Sequence, residues 1–300
     1  MLKQVVPWPA KIAAKIVLSR LPVPYGLWKK LSLFEHGFMD DPAYVVRVVG
    51  RHLEHLPPER RAAPFTALEL GPGDSLAAAL LLAGAGAGRI YLVDVGPFAN
   101  REIDKYKALA RAIARSGVPV PDIGAARSVE DMLDRCKAVY LTEGLKSLAT
   151  IPAGTVDLIF SQAVLEHVRA REFLPIMAEL RRVSSPGGVS SHRVDLKDHL
   201  AGALNNLRFS DRIWESDLFS RSGFYTNRIR HAPMIELFER AGFVLEAEQV
   251  DRWPDLPTPR RKLAEPFRIL PHDELRISGF QVVLRPGPRA QARLDGGRAA

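Results

Sequence analysis

A single cysteine, Cys136, is the only thiol in the 300 residues. That excludes an intramolecular disulfide and any zinc site built from cysteines. No apolar run is long enough to span a bilayer. The N-terminus lacks the unbroken hydrophobic stretch of a secretory signal, because Lys3, Pro7, Pro9, Lys11 and Lys15 interrupt it, so the expected compartment is the cytoplasm. Internal repeats are also missing. With 47% hydrophobic residues, the chain can bury one large core, or one core and a cap.

A basic stripe interleaved with aromatics, the footprint of a nucleic-acid binder, is another absence. The net charge of +8 is dispersed instead. Arg285, Arg289, Arg293 and Arg298 fall in or beside a Gly/Pro/Ala-rich end, residues 286–300, that reads as a disordered tail. Arg260, Arg261 and Lys262 occupy a proline-rich stretch. This distribution argues against a nucleic-acid partner.

The chain does contain one informative stretch, Ala67-Leu68-Glu69-Leu70-Gly71-Pro72-Gly73-Asp74-Ser75. It reads as a buried strand entering a glycine-rich turn, with a helix starting at Leu76. Ile90 to Asp94 follows as a second strand ending on a carboxylate, and together they make the front half of a nucleotide-binding βαβ unit. Gly71 and Gly73 let backbone approach a ligand, and Asp94 stands where an acid can accept from ribose hydroxyls. A nicotinamide or flavin dinucleotide site wants a third glycine three residues after Gly73. Leu76 stands there, and Asp74 adds negative charge where a pyrophosphate would lie. The loop suits a cationic ligand better.

Further strands are expected at 138–141, 156–160, 189–194, 243–250 and 277–284, with helices at 44–53, 102–115, 172–183 and 233–241 between them. Pro186-Gly187-Gly188 is read as closing the third of these helices. The alternation implies an α/β fold, a doubly wound, mostly parallel seven-stranded Rossmann-like sheet with ligands at the carboxyl ends of its strands. The expected layout is an N-terminal helical cap over 1–60, a core domain over 61–285 and an insertion at about 196–231. The cap includes a basic amphipathic helix (Ile12, Ile16, Val17, Leu21) flanked by Trp8 and Trp28. It suits either a lid across the core or a peripheral membrane contact. The insertion, with His199, Asn205, Asn206, Trp214, Phe224, Tyr225 and Asn227, would hang over the ligand end of the sheet.

The Glu-x-Gly-x-Gly pattern at Glu69 to Gly73 resembles motif I of the class I S-adenosylmethionine methyltransferases, departing from the fullest form at Ser75. Val156 to Val168 and Leu180 to Gly188 resemble the fourth-strand and pre-fifth-strand segments of the branch that includes ubiquinone-type and natural-product methyltransferases. The resemblance covers roughly residues 65–195. It implies a methyltransferase using S-adenosyl-L-methionine, with Glu69 orienting the loop and the methionine end, Glu143 beside the adenine, and Gln162 near the methionine portion or the substrate. A small-molecule, sugar or lipid-linked acceptor methylated at oxygen is the expected substrate. An RNA or protein methyltransferase, or a non-catalytic cofactor-binding regulator, is the alternative.

Three residues are candidates for proton handling. His192 and Asp195, at the end of the fifth strand, could form a base and its orienting partner, or chelate a metal. His167, in Leu165-Glu166-His167-Val168, is the third, with a packed structural role as the rival reading. Some relatives bind a divalent metal through a glutamate three residues before the Glu-His pair. Ala163 holds that position here, so no metal site is assigned.

Overall fold

A computed structural model describes residues 7–18 and 39–288. Leu21, Trp28, Arg289, Arg293 and Arg298 lie outside the described residues. Seven strands form one sheet: β1 (Phe65–Leu70), β2 (Ala87–Val93), β3 (Ala138–Leu141), β4 (Val156–Gln162), β5 (Ser184–Asp195), β6 (Phe243–Arg252) and β7 (Ile277–Pro286). Their order is β3-β2-β1-β4-β5-β7-β6. β7 alone runs antiparallel, between β5 and β6. The strand order reverses between β1 and β4, which opens a crevice at their carboxyl ends.

Pleating decides what each strand contributes to either layer. Ala67, Ile90, Leu92, Leu158, Phe160 and Val189 face one way, against α1 (Pro42–Leu53), α2 (Ala78–Gly84) and α3 (Ile103–Arg115). Leu68, Leu70, Val93, Ile159, Val194 and Phe280 face the other, against α4 (Ala170–Val183) and α5 (His231–Arg240). Near-continuous apolar runs in β1 and β4 follow from this burial on both faces.

Two boundaries differ from the sequence reading. The helix after the glycine loop begins at Ala78, not Leu76, because the Leu76 amide donates to the Tyr106 hydroxyl at 3.1 Å and i→i+3 turns precede the helix. Pro186-Gly187-Gly188 does not lie outside β5. Ser184 pairs with Val156 and Val189 with Leu158, so the three residues form a bulge within the strand. A Cβ on Gly188 would lie 3.0 Å from two carbonyl oxygens, of Ser185 and Val156, which is why glycine stands there.

The N-terminal helix Trp8–Leu18 packs on the 196–231 insertion. Ile12 is buried with Leu200, Trp214, Phe219, Phe224 and Tyr225, and Trp8, Ile16 and Phe209 close the cluster. Ile12 and Ile16 of the expected amphipathic face therefore lie against the insertion. Among the described residues, no helix is long and apolar enough to cross a membrane.

Asp157 ties three strands together at the opposite end of the sheet from the crevice. Its Oδ1 accepts from Ser185 Oγ at 2.6 Å and Arg60 at 3.0 Å, and its Oδ2 from the Thr66 amide at 3.0 Å. Asp157→Ala should lower stability by about 2–3 kcal/mol, since it strands buried donors. A lower urea midpoint in equilibrium unfolding checks this, and an unchanged midpoint contradicts it.

Candidate active site

The chain leaves β1 through Gly71 and Gly73, both in the left-handed region at φ 73° and 62°. Only there does glycine's freedom matter for the loop. The loop is pinned to the next strand by Asp94: its Oδ2 accepts from the Gly73 amide at 2.9 Å and its Oδ1 from the Val95 amide at 2.7 Å. Gly144, just past β3, donates to the Asp94 carbonyl at 2.8 Å. Glu143 is exposed beside that contact, its amide held by Ser147 Oγ at 2.9 Å. The ends of β1, β2 and β3 thus bring Glu69, Gly71, Gly73, Asp94 and Glu143 to one edge.

Glu69 and Asp94 end neighbouring strands on the same pleat face. Glu69 is 3% exposed, and its Oε2 has no hydrogen-bond partner. Burial, reinforced by the Asp94 charge, pushes its pKa up to about 8. A half-satisfied acid of this kind suits a cationic group arriving from the crevice. The glycine backbone, the orphaned Glu69 oxygen and the Asp94 carboxylate together fit the cationic nucleoside S-adenosylmethionine. Val95 and Phe98, 74% and 42% exposed, follow Asp94 and present apolar surface where a base ring would lie. Sequence reasoning missed both, because exposure on a βα loop shows only in the fold.

Gln162 ends β4 on the same face. Its amide faces the His52 ring, yet neither Gln162 Oε1 nor His52 Nε2 has a hydrogen-bond partner. Beyond it, Ala163 takes a positive φ of 54°, and a turn closed by the His167 amide on the Val164 carbonyl at 2.8 Å follows. Val164 packs on the glycine loop so tightly that a Cβ on Gly71 would lie 2.6 Å from it. The turn therefore sits against the loop through Val164, with His167 at its other end. His167 is exposed, and its Nδ1 lies 2.9 Å from the Tyr225 carbonyl.

His192 is placed differently from the sequence reading. It lies on the opposite pleat face, wholly buried, stacked over Phe238 with ring centroids 6.2 Å apart. Its Nδ1 bonds Ser161 Oγ at 2.8 Å and its Nε2 Ser190 Oγ at 2.7 Å. Burial drives its pKa down to about 3. Residues three apart on a strand face opposite ways, so Asp195 cannot orient His192. The structure pairs Asp195 with Glu166 instead: the Asp195 amide donates to Glu166 Oε1 at 3.3 Å. The Asp195 carboxylate accepts from the Lys197 amide at 3.0 Å and faces Lys197 Nζ at 3.6 Å. The base-and-partner reading of His192 and Asp195 is thus corrected by strand parity.

Two outcomes follow. Asp94→Ala should weaken S-adenosylhomocysteine binding about 10–100-fold, through loss of charge-assisted hydrogen bonds and of the loop clasp. Calorimetry on the folded variant checks it, and unchanged affinity would place the ribose elsewhere. The second concerns Glu69, which keeps its proton at neutral pH because its pKa is raised from 4.5 to about 8. The carboxylate is the form that attracts a cation. S-adenosylmethionine binding should therefore release a proton and strengthen as pH rises toward about 8, then level off. Glu69→Gln should bind more weakly with a flat profile, and an unchanged slope would assign the proton to another group.

Residues 68–191 match the family model described as "Methyltransferase domain". No protein in the curated set matches the chain. Solved structures similar to it include a methyltransferase of Methanosarcina mazei, 18% identical, covering 78% of this chain and 96% of that one at a TM-score of 0.47. A Mesorhizobium loti S-adenosylmethionine-dependent methyltransferase is 17% identical, with 78% and 96% covered and a TM-score of 0.43. A Haloferax volcanii putative methyltransferase, solved with its Trm112 activator, is 17% identical, with 83% and 96% covered and a TM-score of 0.40. The segment matched to the methyltransferase family model runs from β1 through the glycine loop into β5, so the chain carries a methyltransferase domain, for which S-adenosyl-L-methionine is the expected cofactor.

Proposed function

We propose that the enzyme methylates an oxygen of a small-molecule, sugar or lipid-linked acceptor. The observation that carries this reading is the turn Val164–His167, which packs on the glycine loop and presents His167. His199, from the insertion, meets the His167 ring edge to face with centroids 4.7 Å apart. Glu166 lies between the turn and the strand ends, with its pKa raised to about 8 by burial. A hydroxyl acceptor must give up a proton, and two imidazoles beside a carboxyl suit that task.

S-adenosylmethionine, when bound, supplies a methyl group already activated on a sulfonium. The chain's own residues do the rest. Asp94 and the glycine backbone fix the nucleoside, and Glu69 receives positive charge. Gln162 and the Val164–His167 turn border the acceptor. The insertion, knit by Trp214 Nε1 donating to the Thr226 carbonyl at 2.7 Å, shelters the reacting atoms from water. The aromatic cluster beneath the N-terminal helix favours a compact acceptor over a duplex or a folded protein, and the dispersed basic charge agrees.

Incubation of the protein with methyl-tritiated S-adenosylmethionine and fractionated cell extract tests the acceptor class. Label should enter the low-mass or lipid-extractable fraction as an alkali-stable ether, and His167→Ala should cut incorporation about 100-fold. Label in RNA or protein would overturn the reading.

A further inference from the structure

Glu166, His167 and His199 form a cluster that cofactor binding does not use. Each offers one ligand atom, and those atoms all lie within 4.8 Å of one another. Glu166 is 1% exposed, and its Oε2 has no hydrogen-bond partner. A buried carboxylate left in that state is costly until a cation or donor meets it. At His167, Nδ1 addresses the Tyr225 carbonyl at 2.9 Å. A carbonyl only accepts, so Nδ1 carries the proton and Nε2 the lone pair. Metal-binding imidazoles are oriented in the same way, by a backbone carbonyl on the other nitrogen.

Both supporting loops are firmly held. The Asn227 amide donates to the Glu166 carbonyl at 2.7 Å, and Asn227 Nδ2 to the carbonyls of Leu165 and Val168 at 2.7 and 2.8 Å. Asp198 accepts from the amides of Leu200, Ala201 and Asn205 at 3.0, 2.6 and 2.6 Å, and from Asn205 Nδ2 at 3.0 Å. Lys15 Nζ reaches the His199 carbonyl at 3.4 Å.

We infer that Glu166, His167 and His199 bind one divalent transition ion of the zinc class, with its remaining positions open to the acceptor. Two imidazoles and one carboxylate match the donor set of catalytic zinc and related ions, whereas magnesium and calcium prefer oxygen donors alone. Closing on an ion at about 2.0–2.2 Å requires the ligand atoms to draw together. The side chains of His167 and His199 are exposed. Ala163 cannot complete a local triplet, and His199 supplies the third ligand from the insertion. The use of the ion rests on the oxygen-methylation reading: a coordinated hydroxyl loses its proton more readily, here to a solvent water at the exposed side of the cluster, and His167 and His199 then act as ligands rather than as bases.

Zinc titration of the chelator-stripped, tag-free full chain by calorimetry tests the site, with S-adenosylhomocysteine affinity measured on the same samples. One zinc per chain should bind saturably. His167→Ala and His199→Ala should each weaken it at least about tenfold, while His272→Ala, at an exposed histidine on a separate helical turn, should not. Cobalt should give visible absorption bands in the parent protein that His199→Ala loses. Cofactor affinity should stay constant throughout, which separates this site from the cofactor reading. No zinc binding, or equal binding in the parent and His199→Ala, overturns the inference.

Discussion

Glu69 and Asp94 end adjacent strands on one face of the sheet, and the backbone satisfies them unequally. Asp94 receives the amides of Gly73 and Val95 and thereby fixes the path of the glycine loop. Glu69 is buried beside it with one oxygen unpartnered. Two carboxylates so close in a low-dielectric setting cannot both hold full charge without a counter-ion. A raised pKa at Glu69 relieves the conflict by keeping that acid protonated, and a cationic nucleoside bound beside the pair would relieve it by neutralising both. Loop conformation, ligand sign and the position of the crevice all depend on this pair.

The remaining parts divide the work. The seven-stranded sheet sets the cofactor edge, because β1, β2 and β3 end at one level and bind one another through Asp94 and Gly144. In the function proposed above, the acceptor side is the Val164–His167 turn and the 196–231 insertion. Asn227 joins the two, and the N-terminal helix braces the insertion through Lys11, which donates to the Leu200 carbonyl at 2.9 Å. Substrate choice can thus change through the insertion without disturbing the sheet, as grafted sites on common folds generally allow.

Much of this was legible in the residues. The strand-turn-helix at 65–84, the acid at 94 and the alternation of elements follow from hydrophobic runs and glycine placement, which are local signals. The misreadings are non-local. Pro186-Gly187-Gly188 looks like a stop, but a bulge opposite Val156 absorbs it. His192 looks like a strand-end base, yet its pleat face is set by pairing with β4, where Ser161 stands opposite. Other proximities are invisible for the same reason: the fold brings His199 from the insertion to Glu166 and His167, far from them in sequence.

A crystal structure of the complex with S-adenosylhomocysteine tests the central claim most directly. The ribose hydroxyls are expected on Asp94, the amino-acid end over the glycine loop beside Glu69, the base against Val95 and Phe98, and the sulfur toward the Val164–His167 turn. A nucleoside seated away from the β1 and β2 strand ends, or with its sulfur turned from that turn, would contradict it.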